Sequence, residues 1–143
     1  MSSTPFFISK PRIETAATSF TAERLGNTGS VPLFIANPIT GSKLETITVI
    51  QSTTASGAAF NAVRCMVWLC DADGSNPNII REWVITNNNA IPASGPVANI
   101  GENITFNFIN GLYLGTNSSI YVGQFRYTDN RDPLHWVAVG ADL

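Results

Sequence analysis

The residues able to do chemistry in this chain are few, and their spacing assembles no familiar site. His135 is the single histidine. It stands beside Trp136 in an apolar run, without a Ser or Cys motif that would make it a general base. Asp71, Asp73 and Gly74 resemble the start of a calcium loop. An EF-hand loop, however, needs a ligand at its fifth position, Gly at its sixth and Glu at its twelfth, and here Gly occupies the fourth. A β-turn accounts for the Asp-Gly pair, and Asp129, Arg131 and Asp132 suit a second solvated loop.

The ten carboxylates are dispersed, so no pair suited to glycoside hydrolysis follows from spacing, and a hydrolase with a site gathered from distant acids is the weakest reading. Cys65 and Cys70 fall in one extended run, on opposite faces and about 17 Å apart, too far to bridge. They are expected to be free, apolar-flanked thiols of a reducing compartment. Trp68, Trp83 and Trp136, with Tyr113, Tyr121 and Tyr127, could line a sugar-stacking platform. Core packing is the more economical account, because each tryptophan has apolar neighbours within a strand. No enzyme activity, cofactor or metal is expected.

Composition narrows the partners. The 143 residues fit one domain large enough to need no staples. Charged residues make up only 13% of the chain, about half the usual share. Forty residues are Ser, Thr or Asn, which hydrogen-bond to a neighbour without the cost of desolvating a charge. Such a surface tolerates burial. The net charge of −2 and the scattering of two Lys and six Arg argue against nucleic acid. No classical export signal and no run of about 18 apolar residues is read, so neither a leader nor a membrane span is expected.

The elements that must position these residues are strands. VPLFIA (31–36) is apolar and ends in Asn37-Pro38 and Gly41-Ser42. Lys43–Gln51 alternates as a half-buried strand. Phe60–Cys70 sets Val63, Cys65, Val67 and Leu69 on one face and Arg64, Met66, Trp68 and Cys70 on the other, so it reads as covered on both sides. The acidic turn then leads to Ile79–Thr86 as a hairpin partner.

Asn87–Gly101 reads as one long loop or a pair of connections, of the kind that makes contacts. Glu102–Asn110 alternates Ile104, Phe106 and Phe108 with Asn103, Thr105 and Asn107. Asn110-Gly111 reads as a turn before a short strand at Leu112–Leu114. Ser119–Tyr127 is expected to pair with Leu134–Gly140, and Ile13–Thr21 is one further strand.

About eight or nine strands without a helical period make an all-β, two-sheet antiparallel sandwich over residues 13–143, jelly-roll or immunoglobulin-like. Residues 1–12 form an extended N-terminal arm in which Phe6, Phe7 and Ile8 lie between Pro5 and Pro11. That apolar stretch either folds back on its own sandwich or docks on another subunit.

The order of VPLFIANPITGSKLETITVIQ, the strand ending in LCDADGSNP, FINGLYLGTNSSIYVGQF and the closing HWVAVGADL resembles the small β-sandwich virion proteins of tailed bacteriophages. The likeness is one of pattern and strand order over most of residues 13–143. It implies a non-enzymatic capsid cement or decoration protein on the virion surface, assembled in the host cytoplasm. The major capsid protein or other virion subunits would be its partners, with neither nucleic acid nor membrane involved. It would be a homo-oligomer, a trimer being one form. Assembly contacts would then come from Phe6, Phe7 and Ile8 of the arm and from Ile91, Pro92, Pro96 and Val97 of the long loop. The alternatives are a phage tail or fibre component, or a carbohydrate-binding β-sandwich module.

Overall fold

The computed structural model describes residues 10–18, 30–51, 63–85, 103–126 and 134–143. Eight strands run through them: β1 (Lys10–Thr18), β2 (Val31–Ile35), β3 (Ser42–Gln51), β4 (Val63–Asp71), β5 (Asn78–Ile85), β6 (Asn103–Leu114), β7 (Ser118–Arg126) and β8 (Leu134–Asp142). They form two four-stranded sheets, ordered β1-β8-β3-β6 and β2-β7-β4-β5. Every paired neighbour is antiparallel. The chain is thus the expected two-sheet sandwich, and this strand order makes it a jelly roll rather than an immunoglobulin-type sandwich.

The inner faces meet in one core. Val63, Cys65 and Val67 of β4, Ile120 and Val122 of β7, and Phe34 of β2 pack against Leu44, Ile47 and Val49 of β3 and Trp136 and Ala138 of β8. Along most of these strands the core residues recur at every second position, the period that sends alternate side chains to opposite faces. Trp136 is fully buried. Its indole Nε1 donates to Thr18 Oγ1 at 3.0 Å, and Thr18 Oγ1 donates to Gln124 Oε1 at 2.9 Å. Those two bonds run from β8 through β1 to β7 and so tie one sheet to the other.

Three expectations change. β7 and β8 are not a hairpin: β7 lies between β2 and β4 while β8 lies between β1 and β3 in the opposite sheet. Crossing to the other sheet gives β8 a full ladder on both sides, where a hairpin with β7 alone would give it one. Asn110-Gly111 is not a turn between strands but an irregularity inside the continuous β6, with φ of 63° and 77°. Its left-handed backbone absorbs the register shift opposite Leu44 and Thr46 of β3. Finally, β1 begins at Lys10, so Lys10, Pro11 and Arg12 pair with Asp142, Ala141 and Gly140 rather than ending the arm. Pro11 and Pro32 both lie on edge strands, β1 and β2, where a missing N–H leaves no inner ladder bond unmade.

Candidate assembly surface

The acidic turn is occupied by its own hydrogen bonds. Gly74 N donates to Asp71 O at 2.9 Å, and the Asp71 carboxylate accepts from Asn76 Nδ2 at 2.6 Å and Ser75 Oγ at 3.3 Å. Asp73 accepts from the Ser75 hydroxyl and amide, which hold its pKa below the ordinary carboxylate value. Gly74, at φ 85°, lies so close over Tyr121 that an added Cβ would meet the ring at 2.8 Å. The turn therefore folds back on the outer side of the β2-β7-β4-β5 sheet. There Met66, Trp68 and Cys70 form a second buried cluster with Tyr121 and Phe125. Among the described residues no three His, Cys, Asp or Glu gather into a metal ligand set.

Neither cysteine is in a disulfide and both are buried, Cys65 in the core and Cys70 in that outer cluster. Burial, together with the neighbouring Asp71 charge, pushes the Cys70 thiol up to about 11. The tryptophans share no exposed face. Trp83 contacts Phe106 and Trp136 in the core at ring-centroid distances of 4.3 and 5.8 Å, whereas Trp68 belongs to the opposite side of its sheet. Asp129, Arg131, Asp132 and Tyr127 lie outside the described residues.

Sequence reading assigned no role to Arg12, which is the hub of a polar corner. Its guanidinium donates to Asp142 Oδ1 at 2.8 Å, to Glu14 Oε1 at 2.8 Å and to the Ile35 carbonyl of β2 at 2.9 Å. It also lies 4.4 Å from the Phe34 ring centroid. Asp142 accepts further bonds from Ser42 Oγ and Asn37 Nδ2. Burial alone would push Asp142 up, but the bonds from Arg12, Ser42 and Asn37 outweigh it and hold the pKa below the ordinary value. The partners lie 130 residues apart in sequence, so no local pattern could have joined them.

The surface that stands out is the outer side of the β1-β8-β3-β6 sheet. Register sets its residues in rows across the strands. Thr15, Val137, Thr48 and Thr105 form one; Ile13, Val139, Thr46 and Asn107 form the next. Pro11, Ala141, Lys43 and Tyr113 close one end, and Ala17, His135 and Ile50 extend the other. Thr48 and Thr105 share a hydrogen bond of 2.9 Å between their hydroxyls. The charges among the described residues of this face are Glu45, exposed at the register shift between Leu44 and Thr46, and Lys43. Lys43 sits at the end of the face, 3.8 Å from Glu45 and 5.8 Å from the Tyr113 ring centroid. Ile13 and Tyr113 are 70% and 60% exposed, and Ile109, on the same strand as Tyr113, is 88% exposed. A solvated sheet face normally alternates core residues with polar and charged ones. Apart from the Lys43–Glu45 pair, this one carries β-branched residues and a small amide where charge would be expected. His135 is exposed on it, with no serine, cysteine or carboxylate in the rows around it.

The expected contact residues of the arm and long loop, Phe6, Phe7, Ile8, Ile91, Pro92, Pro96 and Val97, lie outside the described residues. The structure contributes instead a face that sequence reading missed. The alternation of Thr46, Thr48 and Ile50 in β3 and of Val137 and Val139 in β8 was its available signal. Only the pairing of β3 with β8 makes one surface of the two.

No family model matches the sequence, and no curated protein matches it. Among solved structures it is similar to a chain of the T13 viral particle of infectious bursal disease virus, at 15% identity over 92% of this chain and 31% of that chain, with a TM-score of 0.38. It is also similar to a chain of the VP2 subviral particle of the same virus, at 15% identity over 92% of this chain and 32% of that one, with a TM-score of 0.31. The chain thus spans about a third of the length of the solved chains it matches.

Proposed function

We propose that this chain is a non-enzymatic structural subunit of a virus particle. Within that role it is a capsid cement or decoration protein of the tailed-phage kind, homo-oligomeric and held against the major capsid protein. The observation that carries the reading is the outer face of the β1-β8-β3-β6 sheet, where the charges among the described residues are one ion pair, Lys43 and Glu45, toward one end of the rows. Removing Thr, Val, Ile and Asn side chains from water against a neighbour costs far less than burying charges. A subunit enclosed by neighbours needs a surface that can be buried at low cost, and this face supplies one.

The jelly roll itself serves capsid proteins, lectins and cupins, so function must come from the side chains. One histidine in the whole chain is too few for a metal centre built on several imidazoles. A lectin built on tryptophan stacking requires indoles on an open face, whereas Trp68 and Trp136 are 5% and 0% exposed.

Particles assembled without the chain test the proposal. They should be complete but release their genome at a lower temperature, and purified protein added back should restore the wild-type threshold. Particles of unchanged stability that bind no added protein would overturn the cement role.

A further inference from the structure

We propose that the outer face of the β1-β8-β3-β6 sheet docks on the same face of a second copy of this chain, about a two-fold axis lying in the interface. The inference rests on the assembly reading and deepens it by naming one contact and its occupant.

Self-pairing requires a patch compatible with its own image, and charge placement meets that requirement. Lys43 is off-centre in both directions: it lies in the end row, and on β3 rather than on the midline of the sheet. A two-fold across the strands sets its row over the row of Ala17, His135 and Ile50. A two-fold along the strands sets β3 over β8, which brings Lys43 onto Ala141. In neither case does one lysine lie directly over the other, although with the two-fold along the strands they fall about 4.8 Å apart in projection, and Glu45 stays beside each one to compensate it.

Area points the same way. Four strands about 4.8 Å apart and six residue steps of about 3.4 Å give a flat footprint of roughly 400 Å². Side-chain relief raises the accessible area above that, close to the roughly 500 Å² per partner at which specific interfaces begin. Two such faces would stack about 10 Å apart, as the sheets within a sandwich do. The opposite sheet offers no equivalent. Its outer side carries the Arg64–Glu82 ion pair and the turn folded over Tyr121.

The test uses the full chain in solution, with no particle present. Sedimentation equilibrium should give a dimer at tens of micromolar. Thr48→Glu, in the middle of the face, should raise the dimer dissociation constant at least about 100-fold by burying an unpaired carboxylate from each copy in the interface. Thr15→Lys, on the exposed edge strand β1, is a second variant that cannot disturb the core and should weaken the dimer in the same direction. Val84→Lys, on the other sheet, should leave it unchanged. A wild-type monomer at 100 µM, or an oligomer of any size that both face variants leave intact, would overturn the proposal. Particle incorporation by a wild-type monomer would at the same time leave the virion role standing, so the two failures are distinguishable.

Discussion

At the corner where β1, β2 and β8 meet, Arg12 and Asp142 join the first described strand to the last. Replacing Asp142 with Ala removes an acceptor used by Arg12, Ser42 and Asn37. The cost should be about 1–3 kcal/mol in urea denaturation. Because the folded pKa of Asp142 lies below its ordinary value, its contribution is complete above that value, about 3.9. It is lost as pH falls through the lower, folded value. Wild-type stability should therefore drop steeply below about pH 4, and the Asp142→Ala variant should show a shallower drop over the same window. The cysteines give a second outcome at this scale. With Cys65 buried and the Cys70 thiol pushed up to about 11, neither should react with iodoacetamide at about pH 8 until the protein is unfolded, as mass spectrometry of labelled peptides would record. Individual residues were only partly legible in sequence. The separation of the thiols follows from counting along one strand, whereas the Arg12 corner depends on a fold that brings residues 12 and 142 together.

Strands were legible wherever alternation was strong, because a period of two registers burial directly. β3, β4 and the first part of β6 were all visible in this way. Pairing was not, since nothing local records whether a strand turns back on its predecessor or crosses to the other sheet, and β7 and β8 misled for that reason. The Asn110-Gly111 step shows the same limit: turn chemistry also serves a bulge, and only the partner strand distinguishes them. Close packing between elements can be tested at Gly140 of β8. A Cβ there would lie 2.4 Å from the Lys43 carbonyl oxygen and 3.2 Å from Leu44 Cα. Gly140→Ala should thus force β8 away from β3 and cost at least about 2 kcal/mol. Gly115→Ala, whose Cβ would find nothing nearer than Ser118 Oγ at 3.7 Å, should change stability by less than about 0.5 kcal/mol. Thermal melts of the two variants side by side would check both. The start of β1 also sets the boundary for truncation. Removal of residues 1–9 should leave the ladder from Lys10 onward intact while abolishing binding to the particle if Phe6, Phe7 and Ile8 dock on a neighbour. Wild-type incorporation of the truncated protein would remove that role.

For the whole molecule, the two sheets are joined by a core and by the buried bonds from Trp136 through Thr18 to Gln124. Thr18→Val keeps the side-chain shape but removes the acceptor of the indole N–H. It should lower unfolding stability by about 1–3 kcal/mol, and Thr18→Ser should restore most of it. The proposed function lies on the remaining surface. Low charge in the sequence indicated a protein suited to burial, and the fold collects that property onto one sheet. On the proposed reading, this face is covered in an assembled particle. Hydrogen–deuterium exchange of density-gradient-purified native particles, set against free protein diluted to the monomer, tests this. The chain should be present in fixed stoichiometry with the shell, and peptides of β3 and β8 should exchange more slowly in the particle than in the dissociated monomer. Absence of the chain from purified particles, or equal exchange of β3 and β8 in the two states, would contradict it.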